Sequence, residues 1–445
     1  MKAVLVSTYE MGRQPFGLAS PAAWLRARGW DVACVDASKD KLRDEVLQDA
    51  DLVGFHLPMH TATRLAAPLM RRARSVAKSA RICAYGLYAP LNEQWLKSIG
   101  ADAVFGGEFE EELTTWADAS DRSDMARPTV SVPRIQFLVP DRTGLPSLSR
   151  YAMLQLPDGT RRTAGYTEAS RGCKHLCRHC PVVPIYNGQF RIVPVDVVLA
   201  DIAVQVNAGA QHISFGDPDF FNGPTHATKI VDVLHRAHPD VSYDVTIKVE
   251  HLLQHRALLP RLRETGCAFV TSAVESVDDA VLARLDKGHT RADFVEAVAA
   301  CREAGVTLAP TFVAFHPWLS LADYCDLLDT IESLDLVDHV APIQLAIRLL
   351  LPESSRLLTL AEMREHVRGF DPVTLTHRWS HPDPRVDALH EDVTRLVGTK
   401  LSANRRGAFD AIANLAHERA GIARPASRPK RARATVPYLN EPWYC

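Results

Sequence analysis

Three cysteines within eight residues, Cys173, Cys177 and Cys180 of "RGCKHLCRHC", are the side chains of this sequence best suited to holding a metal. Their spacing, Cys-x3-Cys-x2-Cys, lets three thiolates point at three corners of an iron–sulfur cubane and leaves the fourth iron without a protein ligand. A closed zinc site would need a fourth ligand, which His175 or His179 would have to supply, because four-ligand zinc usually uses two separated pairs and no second pair is visible. A corner left free would be open to a substrate or cofactor.

The chain that carries this loop has 445 residues, 47% of them hydrophobic and 23% charged, an ordinary globular composition with room for two or three domains. Its net charge of −2 gives no general attraction to nucleic acid or to a membrane surface, so any substrate must be argued from local features. The opening "MKAVLVSTYEMGRQPFG" has too short an apolar run for a signal peptide, and no later stretch approaches the roughly 20 apolar residues of a membrane span. The expectation is a cytoplasmic protein whose nine cysteines are reduced, so that a cluster of them reads as metal-binding. Cys34, Cys83, Cys267, Cys301 and Cys325 stand singly in apolar or helical contexts and read as small buried hydrophobes.

The elements that must position the cysteines alternate between strand and helix patterns. Residues 1–118 carry five βα units, which predicts a doubly wound parallel sheet with its ligand loops at "STYEMGRQPFG", "HLPMHT", "GLYAPLN" and "GGEFEEE". Residues 119–161, rich in Pro, Ser, Asp and Arg, read as a linker. Residues 162–354 start a second α/β series of six strands, from "RTAGYTEAS" to "VDHVAPIQLAIRL", a partial (β/α)6 barrel of the TIM type. The cysteines follow its first strand and so lie on its working rim. Strand alternation aims Lys248 and Glu250 of the third strand, and Gln344 and Arg348 of the sixth, at the same rim, where an arginine suits a carboxylate. Taken singly, an ordinary salt bridge or cap explains each. Residues 355–423 read as helices, and 424–445 as a basic, flexible, solvated tail that ends in Cys445.

The cysteine motif, placed after the first strand of such a series, resembles the radical S-adenosylmethionine (SAM) superfamily. That resemblance implies a [4Fe-4S] cluster on Cys173, Cys177 and Cys180 whose open iron chelates the amino and carboxylate groups of SAM. An electron, from a donor of the flavodoxin or ferredoxin type, then cleaves a carbon–sulfur bond and yields a carbon radical, usually 5′-deoxyadenosyl. His179 stands where the superfamily often has an aromatic ring against adenine. "FGDPDFFNGP" resembles the glycine-rich turn whose acidic residue takes the methionyl ammonium, which Gly216 and Asp217 match by position, with Asp219 as the competing carboxylate. "SAVESVDDAVLARLDKGHT" resembles the Gly-x-Glu-Ser…Lys-Gly-x-Thr stretch, with Ala273 in place of the glycine; Glu275 and Ser276 become expected SAM contacts, joined by Lys248 and Arg348.

A parallel sheet and linker ahead of this motif resemble the cobalamin-binding class of radical SAM enzymes, and "GGEFEEEL" is similar to that domain's Gly-Glu turn. The Asp-x-His-x-x-Gly motif that supplies an axial histidine is absent. Cobalamin is therefore possible, bound without a protein histidine, or else the domain has lost it and serves as a lid. His56 and His60, on a rim loop, read either as ligands or as structural groups.

"TYEMGRQPFGLASPAAWLRARGW", "CPVVPIYNGQFR" and "VPYLNEPWYC" resemble a radical SAM family named for its C-terminal Cys-Cys/Sec-Ala-Glu-Pro tail. Its members end in adjacent cysteines or a cysteine–selenocysteine pair, so the expectation is a selenocysteine codon after Cys445; any stop other than UGA there would remove it. Such a pair is a soft chelate and a nucleophile, suited to presenting a thiophilic arsenic- or selenium-type centre, or to reducing a substrate disulfide. The resulting reading is a radical SAM enzyme of lyase or transferase type that transfers a radical or alkyl group to a small-molecule substrate. The alternatives are a cobalamin-dependent radical SAM methyltransferase and a non-catalytic metal-binding or sensor protein.

Overall fold

The structure, a computed structural model, describes residues 1–119, 128–399, 405–425 and 436–440. Apolar runs such as "KAVLVS" and "RICAY" are buried along nearly their whole length, as strands covered on both faces must be. They belong to a series of β1 (Lys2–Ser7), α1 (Phe16–Ala27), β2 (Asp31–Asp36), α2 (Asp44–Gln48), β3 (Leu52–His56), α3 (His60–Val76), β4 (Arg81–Tyr85), α4 (Glu93–Ser98), β5 (Ala103–Gly107) and α5 (Glu110–Asp118). The strands pair in parallel in the order β2-β1-β3-β4-β5, and a two-residue β6 (Val130–Ser131) extends the sheet beyond β5. This is the expected doubly wound sheet, with one apolar core around Val6, Phe55 and Met70 and another around Leu5, Leu25 and Tyr85.

The second sheet starts at β7 (Met153–Gln155) and β8 (Arg161–Thr167), followed by β9 (Ser170–Gly172), α6 (Val182–Tyr186), β10 (Phe190–Ile192), α7 (Val195–Asn207), β11 (His212–Phe215) and α8 (Pro224–Ala237). It continues through β12 (Ser242–Thr246), α9 (Val249–Gln254), α10 (Leu259–Glu264), β13 (Cys267–Glu275), α11 (Asp279–Leu285), α12 (Arg291–Glu303), β14 (Leu308–Phe312) and α13 (Leu321–Ser333). Strands β8, β11, β12, β13 and β14 lie side by side and parallel, a half-barrel with its helices outside. Capping boxes at Thr290/Asp293 and Ser320/Asp323 fix where α12 and α13 begin, and so the loops between the strand ends and those helices.

Three expectations about elements need correction. The sixth strand is a single bridge between Phe315 and Arg348, and Gln344 lies in a 3-10 turn at Pro342–Ala346, because Pro342 has no N–H for a ladder. Lys248 and Glu250 lie just past β12, at the start of α9, rather than on the strand. Beyond residue 355 the chain is not only helical: α14 (Met363–His366) precedes a hairpin of β15 (Val367–Asp371) and β16 (Thr376–Trp379). Its turn is made by Asp371, whose carboxylate accepts from the Val373 N–H, a local bond that competes with helix. Helices α15 (Pro384–Thr399) and α16 (Arg405–Ala420) then pack on α13 and on the 342–346 turn, beside the place of the missing strand.

The described part of the basic tail is docked rather than free. Arg424 pairs with Glu332 and Asp410, and β17 (Tyr438–Leu439) adds an antiparallel strand to β7. Unpaired edge groups on β7 offer that ladder, and Arg405 lies over the Tyr438 ring, 4.3 Å from its centroid. Cys445 lies outside the described residues. Among the singly placed cysteines, Cys83, Cys267, Cys301 and Cys325 are buried and Cys34 is half-buried. Among the described residues no helix is long and apolar enough to cross a membrane.

Candidate active site

The cysteine loop leaves β9 through Gly172, whose φ of +78° and contact with the Tyr186 ring and the Gln189 carbonyl leave no room for a side chain. Asn222, just after β11, staples the loop on both sides of Cys173: its Oδ1 accepts from the Lys174 N–H at 3.1 Å and its amide donates to the Gly172 carbonyl at 3.3 Å. At the far end, Arg178 donates its backbone N–H to Leu285 and its guanidinium to Ala283 and Arg284, the last carbonyls of α11. The three thiols form no disulfide. Burial pushes the Cys173 thiol up, and pushes Cys180 up to about 12, with the neighbouring thiols adding to the shift.

At the end of β13 the register with β14 slips between Ala273 and Glu275, and Glu275 takes φ = +71°, a left-handed conformation rare for a side-chain-bearing residue. The bulge turns the Glu275 carboxylate to 3.1 Å from His179 Nε2 and 3.4 Å from Lys287 Nζ. Burial alone would raise this carboxyl, but the Lys287 ammonium and His179 outweigh it and hold it at about 2. Burial would likewise lower Lys287, yet Glu275 and the thiols of Cys177 and Cys180 hold it above the usual lysine range. Beside it, His289 is 6% exposed and neither ring nitrogen has a hydrogen-bond partner among the described residues. Burial, with Lys287 and Lys248 nearby, pushes it down to about 4, so its imidazole is neutral.

The acidic turn after β11 divides into two environments. Gly216 is covered by Tyr166, whose hydroxyl occupies the position a Cβ would take. Asp217 turns back to accept from Ser170 Oγ at 2.5 Å and from the Ala169 N–H at 2.9 Å, and burial pushes its carboxyl up to about 7. Asp219 caps the 220–222 turn with Oδ1 and faces His175 and His251 with Oδ2. Lys248 Nζ lies 3.0 Å from His175 Nδ1 and 3.1 Å from Glu250 Oε2. Ser276 accepts from the Asp278 N–H and, with Glu275, Asp279 and His316, lines a cavity of about 290 Å³. Arg348 is engaged by Asp387 at 2.8 Å and lies over the Trp379 ring at 3.6 Å, and Gln344 accepts from the Phe312 N–H. Reading the residues singly missed Lys287, His289 and Asn222, although "SAVESVDDAVLARLDKGHT" contains the first two and "FGDPDFFNGP" the third.

Residues 167–331, the segment from the end of β8 to α13 that holds the cysteine loop, the acidic turn and the Glu275–His179–Lys287 group, match the family model described as the Radical SAM superfamily. This segment is a radical SAM domain. Curated relatives include a tRNA-2-methylthio-N(6)-dimethylallyladenosine synthase from Alkalilimnicola ehrlichii, 24% identical over 52% of this chain and 51% of its own. A ribosomal protein uS12 methylthiotransferase, RimO, from Porphyromonas gingivalis is 25% identical over 39% of this chain and 42% of its own. The chain thus spans about half the length, or less, of these curated relatives. Among solved structures, the cobalamin-dependent SAM radical enzyme OxsB, with aqua-cobalamin and SAM bound, superposes with a TM-score of 0.72 over 94% of this chain and 72% of its own, at 13% identity. The radical SAM methyltransferase TsrM from Kitasatospora setae superposes with a TM-score of 0.63 over 88% of each chain, at 16% identity. At these identities the likeness is one of fold: a parallel sheet followed by a curled half-barrel.

A radical SAM domain implies a [4Fe-4S] cluster and SAM, and the residues present fit both. Three unpaired thiols on one stapled loop could hold the cluster, and the Lys287 ammonium beside Cys177 and Cys180 offsets the charge their thiolates would carry. The unpartnered His289 ring and the Glu275–His179–Lys287 group stand ready for a ligand with both charged and polar ends.

The rim of the N-terminal sheet is built differently. Arg171, next to the loop, donates to Glu108 at 3.1 Å, to Glu110 at 2.8 and 3.0 Å, and to Glu168 at 2.8 Å, while Ser20 and Tyr186 close the remaining positions. Val182, Ile185 and Tyr186 of α6 pack into the same apolar core as Leu57 and Tyr88 of the sheet domain. His56 fills the space over Gly17 and donates from Nδ1 to the Glu10 carboxylate, 2.7 Å away, and His60 is held 2.5 Å from the Thr374 carbonyl. Both rings are buried, and each has one nitrogen engaged, at Glu10 and at the Thr374 carbonyl.

Proposed function

We propose that this radical SAM enzyme cleaves SAM at a cluster held by Cys173, Cys177 and Cys180 and transfers a radical or alkyl group to a small-molecule substrate. The observation that carries the proposal is the convergence of the stapled thiol loop with the Glu275–His179–Lys287 group at one barrel rim. The cluster, when bound, supplies the electron that breaks a carbon–sulfur bond of the sulfonium; a flavodoxin or ferredoxin type of donor would restore it. Lys287, fixed by Glu275, places a positive charge beside two of the thiolates. His179 presents a ring edge-locked by Glu275, able to lie against adenine, and Ser276 borders the cavity next to it. Lys248 offers an ammonium to a carboxylate. His289, neutral at pH 7, can donate to or accept from a ligand without adding charge. Gly216 and Asp217 shape the adjoining turn by packing and hydrogen bonding to β8 and β9, and Arg348 steadies the wall through Trp379 and Asp387.

The C-terminal thiol is assigned to the substrate step. β17 runs antiparallel to β7, which runs antiparallel to β8, so the chain at Tyr438–Leu439 heads the same way as β8, toward the rim that bears the cysteines. Asn440 is bonded to Met153, which pairs with Thr163 only four residues below the end of β8. The direction of this described strand supports Cys445 as a group that presents a thiophilic centre or a reducing thiol to the site. Cobalamin-dependent methyl transfer is the second reading, favoured by the fold shared with OxsB and TsrM. Product analysis after anaerobic reconstitution tests both: 5′-deoxyadenosine or aminobutyrate released from SAM supports radical or alkyl transfer, and methyl transfer that depends on added cobalamin supports the second. Cys445→Ser is expected to keep uncoupled SAM cleavage and lose substrate turnover; full turnover would remove the tail from the mechanism.

A further inference from the structure

Between the first two cysteines of the loop, His175 turns away from them toward two other buried side chains, Asp219 after β11 and His251 in α9. His251 Nδ1 lies 2.7 Å and His175 Nε2 lies 3.5 Å from Asp219 Oδ2, and the three atoms are all within 4.8 Å of one another. None of the three has a hydrogen-bond partner among the described residues, because the 2.7 Å approach lacks the alignment of a hydrogen bond. Asp219 is 0% and His251 6% exposed, and a buried polar atom left unpaired costs about 1–3 kcal/mol. Three such atoms facing one point call for something between them.

We propose that His175, Asp219 and His251 form a mononuclear site for a divalent first-row metal ion, Fe(II), Mn(II) or Co(II), beside the cysteine loop. Two imidazoles and one carboxylate from three separate segments are the donor set of open metal sites that keep positions for water or substrate. Ligands about 2.1 Å from one ion sit about 3 Å apart when at right angles, and the spacings of 2.7 and 3.5 Å bracket that value. An ammonium group fits less well, because its hydrogen-bond acceptors must spread around the nitrogen rather than stand 2.7 Å apart. The outer shell is also present. Metal binding needs the proton of His175 on Nδ1, and Glu250 Oε2, 3.6 Å from Nδ1, can accept it once Lys248 withdraws its own donation. Lys248 would then face the site as a free cation. The assignment makes Asp219 a metal ligand and takes it out of the contacts to the SAM ammonium.

Mn(II) titration of the reconstituted holoenzyme, with free Mn(II) counted by electron paramagnetic resonance, tests the site with and without saturating SAM. One Mn(II) per chain is expected in both conditions. Asp219→Asn and His251→Ala should weaken it by more than the about 10–100-fold that loss of an outer-shell partner brings, with cluster iron unchanged. No tight Mn(II) in the wild type, equal binding in both variants, or stoichiometric displacement by SAM would overturn the proposal. SAM cleavage by the same samples, scored separately, tests the radical SAM reading on its own.

Discussion

Two rims border the cysteine loop in this molecule, and they treat buried polar atoms in opposite ways. At the N-terminal sheet, Glu108, Glu110, Glu168, Arg171, Ser20 and Tyr186 satisfy one another, with Arg13 Nε the nearby exception. At the half-barrel, atoms of His175, His179, Asp219, His251, His289 and His316 are buried without hydrogen-bond partners among the described residues. Because an unpaired buried polar atom is costly, a rim that pairs its groups is completing the protein, and one that leaves them open is waiting for a ligand. The first rim therefore acts as a clamp that seats the cysteine loop, and the second as the place where chemistry happens.

The largest test of that contrast is Arg171→Met. It leaves three carboxylates, two of them fully buried, without their cation, and removing one partner of a buried ionic group destabilises by about 3–5 kcal/mol. Urea unfolding should show that loss in the apoprotein; a change below about 1 kcal/mol would mean that the rim is not a clamp.

Asp217, a barrel-rim group that is paired, gives a pH test. Its folded pKa of about 7 stands above the unfolded carboxyl value, so its contribution is complete below about pH 4 and is lost as pH rises through about 7. Asp217→Asn should flatten that decline, by up to about 4 kcal/mol between the two ends. An unchanged slope in denaturation midpoints across this window would contradict the burial argument.

His289→Leu should do the reverse of Arg171→Met. Removing a ring with no partners should alter stability by less than about 1 kcal/mol but weaken SAM binding about 10-fold or more, a difference of about 1.4 kcal/mol by calorimetry. A large stability loss with unchanged SAM affinity would make His289 a structural residue. Smallest of all, Asn440→Ala deletes one exposed bond that Oδ1 accepts from the Met153 N–H and should cost no more than about 1 kcal/mol in Tm analysis while SAM cleavage stays intact.

Much of this arrangement is visible in the sequence where the signal is local. The Cys173–Cys180 spacing, the apolar strand runs and the βα alternation all depend on neighbours a few residues apart, and both parallel sheets follow from them. Features that depend on distant partners are not visible. Glu108 and Arg171 are 63 residues apart, so "GGEFEEE" reads as a ligand loop when two of its glutamates are in fact locked in an ion cluster. Glu275 and Lys287 meet across α11, and only the bulge in β13 aims one at the other. The lack of partners at His289 is a property of the folded rim alone. In the same way, Pro342 inside an apolar run hides the loss of the sixth strand, and the turn at Asp371 turns a helical-looking stretch into a hairpin.

Iron content and SAM cleavage of the anaerobically reconstituted protein test the open rim most directly. The expected result is the iron of one [4Fe-4S] cluster per chain with SAM-dependent release of a cleavage product, and loss of that product in Cys173→Ser, Cys177→Ser and Cys180→Ser. Zinc in place of iron with no SAM cleavage, or cleavage that survives Cys177→Ser, would contradict it.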